Sequence, residues 1–97
     1  MIIKFKKSQY IIGNMVEFLH FMRAHAPMYH LSNIFLRDLH FAVMGFLKKK
    51  NVRAGQTEAE AVAKEVAVHM EKKNMLKKLN ATTWMLNYPD YGLKKAE

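Results

Sequence analysis

Between residues 57 and 86 the spacing of apolar residues switches from helical to alternating, and few small folds accommodate that switch. Thr57 is the predicted helix cap, with Glu60 three positions on able to reach back to the cap N–H. Glu58 and Glu60 fall where the positive end of a helix dipole favours carboxylates. Ala59, Val62, Ala63, Val66 and Met70 then recur at three- and four-residue spacing and make one apolar stripe. Glu60 and Lys64 form an i,i+4 pair in the favourable direction, worth about 0.3 kcal/mol on an exposed face. Lys72 and Lys73 complement the negative helix end, and Asn74 is the natural stop because asparagine tolerates the left-handed conformation. Beyond it two short strands are predicted, 75–79 and 82–88, around a turn at 80–81. In the second of them Trp84, Leu86 and Tyr88 alternate with Thr83, Met85 and Asn87.

A capped helix, then Lys72, Lys73, Asn74, Met75, Leu76, Lys77 and Lys78, then a short turn and Thr82, Thr83, Trp84, Met85 and Leu86, resembles the end of a winged-helix domain. In that superfamily the third helix is followed by a two-stranded hairpin, the wing, whose returning strand carries an aromatic into the core. The resemblance covers residues 57–86. It implies a mostly α, α+β fold: a three-helix winged-helix domain with a C-terminal two-stranded β-hairpin wing.

The chain before residue 57 supplies the other helices. Residues 2–5 read as a short edge strand, and Ser8 caps a first helix from about residue 9 to residue 25. Its stripe is Ile11, Met15, Phe18 and Met22, widened by Ile12, Val16 and Leu19, with Gly13, Asn14, Glu17, His20 and Arg23 facing away. Pro27 ends it, since the residue before a proline is pushed out of the α region. Residues 28–30 are the expected first strand. Ser32 or Asn33 caps a second helix reaching residue 49. Its apolar residues, Phe35, Leu39, Phe41, Val43, Met44 and Phe46 among them, cover more than one face, which makes this helix central or partly covered by a partner. Gly45 marks either a close helix crossing or a break. Residues 48–56 form a basic connector, residues 88–92 carry turn chemistry, and residues 93–97 are a frayed tail. One domain over 1–97 is expected, with 1–8 and 89–97 as flexible or extended ends.

Sixteen Lys and Arg against eight Asp and Glu give a formal charge of +8, which predicts attraction to polyanions. A hydrophobic fraction of 51% provides for a real core in 97 residues. The absence of cysteine excludes a disulfide framework and a thiolate metal site, and it fits a reducing cytoplasm, the expected location. The first residues lack the apolar core of a secretory leader, and no apolar run approaches the roughly 20 residues of a membrane span.

His20, His25 and His30 are five apart and do not share a helical face. No Gly-rich phosphate loop, nucleophile elbow or distinctive carboxylate pair occurs, so a non-enzyme without metal or cofactor is expected. The basic residues fall instead in clusters, and the winged-helix resemblance gives them a use: the third helix enters the major groove while connector and wing flank it. Lys49, Lys50, Arg53, Lys77 and Lys78 are then candidate phosphate contacts, and Gln56, Thr57, Lys64 and Asn80 candidate polar or base-edge contacts. Glu58, Glu60, Glu65 and Glu71 on the third helix, and its lack of arginine, disfavour base readout relative to general polyanion binding. Tyr10, Tyr88 and Tyr91 are candidate stacking residues, with Trp84 a core anchor. The expected role is a DNA-binding regulator of transcription or replication. A protein-interaction adaptor on the same core, or an RNA-associated basic domain, is the alternative. The first and second helices offer a homodimer surface.

Overall fold

The computed structural model describes residues 6–25 and 28–92. The strand expected at 2–5, the stop at Pro27 and the tail at 93–97 lie outside them. The elements run α1 (Lys7–Gly13), α2 (Met15–His25), β1 (Asn33–Phe35), α3 (Leu36–Lys49), α4 (Gln56–Lys72), β2 (Leu76–Asn80) and β3 (Thr83–Leu86), followed by a 3₁₀ turn at Pro89–Tyr91. The strands form one antiparallel sheet in the order β1-β3-β2. The protein is therefore mostly helical with a small antiparallel sheet, an α+β chain.

The single first helix expected from residue 9 to 25 is two helices. Asn14 ends α1: its side-chain amide donates to the Tyr10 carbonyl at 2.8 Å, and its own carbonyl accepts from Phe18 at 2.9 Å to start α2. Asparagine competes for backbone partners in this way, which is why it interrupts helices. Ser8, expected as the cap, lies inside α1 and is buried; Lys6 holds the cap position. The first strand lies at Asn33–Phe35, not at 28–30, because β3 pairs with it there: Asn33 opposite Met85, Ile34 opposite Trp84, Phe35 opposite Thr83. The second helix accordingly begins at Leu36, with Asp38 Oδ2 accepting the Phe35 N–H at 3.1 Å. Ser32 caps nothing; its hydroxyl donates to the Tyr29 carbonyl at 2.7 Å and closes a turn. Thr57 is likewise not the cap of α4. Gly55 is, and Thr57 sits one residue inside the helix.

Two helices end the same way. Asn74 has φ 60, Asn74 N–H donates to Glu71 O at 3.0 Å, and Met75 N–H donates to Met70 O at 2.8 Å. Asn51 has φ 59, with Asn51 N–H on Lys48 O at 3.0 Å and Val52 N–H on Leu47 O at 2.8 Å. Both are Schellman motifs, in which a left-handed residue lets two backbone donors satisfy the last carbonyls. Asn74→Ala is expected to lower stability by about 1 kcal/mol, the cost of a Cβ in the left-handed region, whereas Asn74→Gly should leave it unchanged or higher. Thermal unfolding followed by circular dichroism measures both.

The core lies where α1, α2, α3 and α4 meet the inner face of the sheet. Phe18, Phe46, Ile11, Leu19, Leu39, Leu47, Met70 and Leu86 are fully buried. The Phe18 and Phe46 rings meet edge to face at 5.5 Å, and Phe21 meets Phe46 at 5.8 Å. Ala59, Ala63 and Ala67 are fully buried at four-residue spacing on α4, which packs against both α3 and α1. Trp84 is buried on β3, as expected of a core anchor, and its indole N–H has no hydrogen-bond partner among the described residues. Gly45 is a close crossing and not a break: a Cβ there would lie 3.0 Å from Phe21 Cζ, and α3 continues through it.

Candidate nucleic-acid interface

The basic residues separate into sectors at the two ends of α4. At its start, α1, the end of α3 and the connector enclose a shallow cleft of about 790 Å³, whose charged lining is Lys7, Lys48, Arg53 and Glu58. Lys7 Nζ donates to Glu58 Oε1 at 2.6 Å, tying α1 to the first turn of α4. One of the acids that would meet a phosphate is thus already neutralised. Lys48 and Arg53 are exposed and make no ion pair among the described residues.

The neighbouring cations differ in how far they are engaged. Lys50, at the C-cap of α3, is ion-paired with Glu17 of α2 and has its ammonium 5.7 Å from the Phe46 ring centroid. The hydrogen bond that Lys50 donates to the Glu17 carboxylate raises the Lys50 pKa above the ordinary lysine value, so it stays charged. Lys49 is exposed, with its ammonium 5.7 Å from the Phe21 ring centroid. Lys64, mid-way along α4, lies 3.8 Å from Glu60, one helical turn away. Gln56 and Thr57 are exposed at the start of α4, and the Gln56 carbonyl accepts from His40 Nε2 at 3.0 Å.

At the other end of α4 the hairpin carries Lys77 and Lys78, both exposed and without an ion pair among the described residues. Asn80 closes the turn: its Oδ1 accepts the Thr82 N–H at 2.9 Å, leaving its amide NH₂ for a ligand. The turn therefore falls at 81–82, one residue later than expected. Helix α4, seventeen residues and about 25 Å long, lies between the two basic sectors. Between them the exposed face of the helix bears Glu60, Ala61, Lys64, Glu65, Val68 and Lys72.

Two residues that the sequence did not single out join this surface. Arg37 and His40 line a second cleft of about 510 Å³ with Phe35, Leu36, Glu60 and Thr82, where the hairpin turn meets the start of α3. The Leu36 N–H donates to Thr82 O at 2.9 Å and fixes that junction. Arg37 is exposed and forms no ion pair among the described residues. The available signal was its being the one arginine on a strongly apolar helix. Tyr91, named as a stacking candidate, is buried, with the Arg23 guanidinium 4.4 Å from its ring centroid. Burial pushes its phenol pKa up. Tyr10 and Tyr88 are half-buried.

Among the described residues no group of three His, Asp or Glu side chains converges to hold a metal ion, and no helix is long and apolar enough to cross a membrane. The chain matches no known family profile, and no curated protein or solved structure is detectably similar to it.

Proposed function

We propose that this is a winged-helix protein that binds duplex nucleic acid, DNA in the first instance, chiefly through phosphates, and that it serves as a small regulator of transcription or replication. The chain runs two helices, a strand, two helices and a hairpin, and the helix-then-hairpin part over residues 57–86 is what supports the winged-helix reading. The observation that carries the proposal is the pair of cationic sectors at the two ends of α4: Lys48, Lys49 and Arg53 at one, Lys77 and Lys78 at the other. With α4, about 25 Å long, laid along the ~12 Å-wide major groove, the two sectors meet backbone phosphates at two places along it. Lys50 contributes less, because Glu17 holds it. Arg37 adds a further cation beside the hairpin turn.

Glu60 and Glu65 stand on the exposed face of α4, and no arginine stands there to read guanine. Phosphate contacts hold a protein on a duplex without reporting its sequence, so weak sequence preference is expected. The same acids, with exposed Ala61 and Val68 between them, favour a second reading, an adaptor that docks a protein on this face.

The test is fluorescence anisotropy of a labelled random DNA duplex at about 50 and 200 mM salt. Affinity should fall about a thousandfold across that range if six phosphates are neutralised. Arg53→Glu and Lys77→Glu should each weaken binding and lower the salt slope by about one or more per variant. An RNA duplex of equal length, run alongside, separates DNA preference from general duplex binding. Absence of binding at low salt, or variants that bind as the parent does, would remove the proposal in favour of the adaptor.

A further inference from the structure

An apolar groove of about 320 Å³ runs between α2 and α3, lined by Phe21, Met22, His25, Phe41, Ala42 and Gly45, with Asp38 at its edge. Phe41 is 64% exposed, the most accessible of the large hydrophobic side chains among the described residues. Its ring stacks on His40 at 6.0 Å and is otherwise open to solvent. Four residues on, Gly45 has no side chain and the Phe21 ring fills the place of one, so the groove surface there is the flat face offered by Gly45 and Phe21. Lys48, three residues further on, also lines the connector cleft, and the Lys49 ammonium lies 5.7 Å from the Phe21 ring centroid. At three- and four-residue spacing α3 thus presents an acid (Asp38), a knob (Phe41), a flat place (Gly45) and a base (Lys48) in one row.

That order is self-complementary. Two copies of α3 laid antiparallel across a two-fold axis at the level of Val43 bring Phe41 of each against Gly45 of the other. The same register sets Asp38 of each opposite Lys48 of the other. An isologous interface demands this kind of pairing, in which residue i meets j and j meets i. We propose that the groove between α2 and α3 is a homodimer surface, occupied by Phe41 of a second copy and closed at both ends by Asp38–Lys48 pairs. Charge favours the second copy: the row carries an acid and a base at opposite ends, and antiparallel pairing sets Asp38 of each chain against Lys48 of the other without calling on any further partner. Each chain carries +8 overall, so repulsion between the two chains opposes association, and it is least screened at low ionic strength. None of this rests on the nucleic-acid proposal, and the test is made without nucleic acid.

Sedimentation equilibrium of the full chain, from about 5 μM to 1 mM at near-physiological salt, should show the mass rising from one chain to two. Phe41→Ser should weaken association about thirtyfold, the scale for loss of an aromatic anchor, while its melting temperature stays that of the parent monomer because Phe41 is exposed. Lys48→Asp should weaken association by setting acid against acid, and Asp38→Lys by setting base against base. The combined Asp38→Lys, Lys48→Asp chain should regain it. Asp38 also accepts the Phe35 N–H, so Asp38→Lys alone could act through the start of α3. Recovery through Lys48→Asp separates the two causes, since a damaged helix start would not be repaired ten residues away. A single-chain mass at every concentration, a dimer indifferent to Phe41→Ser, or no recovery in the double exchange would overturn the inference.

Discussion

Phe46→Ala is expected to cost about 3–5 kcal/mol, a large part of the roughly 5–15 kcal/mol that holds a domain of this size together. Phe46 is fully buried and is the ring on which the others converge: Phe18 at 5.5 Å, Phe21 at 5.8 Å and Tyr10 at 6.3 Å. Those three come from α1 and α2, so Phe46 is where α3 receives both N-terminal helices. Alanine leaves a void that the surrounding rings cannot fill without leaving their rotamers. The melting temperature should drop by about 12 °C or more, as read by circular dichroism or calorimetry. Phe41 stands five residues earlier on the same helix and is exposed, so the contrast between the two phenylalanines tests the orientation of α3 directly. A small shift for Phe46→Ala would mean that α1 and α2 do not seat on α3 as described.

Ala63→Leu is the second large effect, and its cause is the opposite one. Ala59, Ala63 and Ala67 make a fully buried small-residue row where α4 meets α3 and α1. Three extra carbons at the middle of that row must push a helix aside, at a cost of about 1–3 kcal/mol or more. Ala61, two residues away, is exposed, and Ala61→Leu should change stability by only a few tenths of a kcal/mol. Chemical denaturation of the two variants side by side tests the packing of α4. Equal effects at positions 61 and 63 would show that the row is not the seat of the helix. The consequence reaches the proposed interface, because α4 lies between the two cationic sectors and a shift in its seating changes their spacing.

What could be read from the chain follows from how local each determinant is. Helix α4, its stop at Asn74 and the hairpin after it rest on period, dipole and turn chemistry within a few residues, and these were legible. The cap was misread because Thr57 and Glu60 match a capping box while Gly55 offers no side chain to notice, although an extended glycine fills the position as well. β1 was displaced because nothing within Asn33, Ile34 and Phe35 announces a strand. Its pairing with β3 some fifty residues later makes it one. The break at Asn14 had a local signal, a Gly13–Asn14 pair inside a helical pattern, but the apolar stripe runs across it unbroken.

The basic surface was legible as composition and only partly as geometry. A run of lysines does not say which of them is free. Lys50 and Lys7 prove to be tied to Glu17 and Glu58, partners 33 and 51 residues away, and no sequence window contains such pairs. Lys48, Arg53, Lys77 and Lys78 are left exposed. Arg37 went unremarked because the helix around it reads as core, and only the approach of Thr82 gives it a neighbouring surface.

The hairpin lysines have a further consequence that no ligand enters. With β3 central, β1 and β2 are both outer strands, each with backbone donors and acceptors turned away from the sheet. β1 is three residues long, too short to template another chain. β2 has five residues, and its register is irregular between Lys78 and Asn80. A strand from a neighbouring molecule laid against it would have to desolvate two ammonium groups and follow a bent edge. Lys77 and Lys78 therefore disfavour pairing at this edge, and the affinity for polyanions proposed above would rest on the same two side chains.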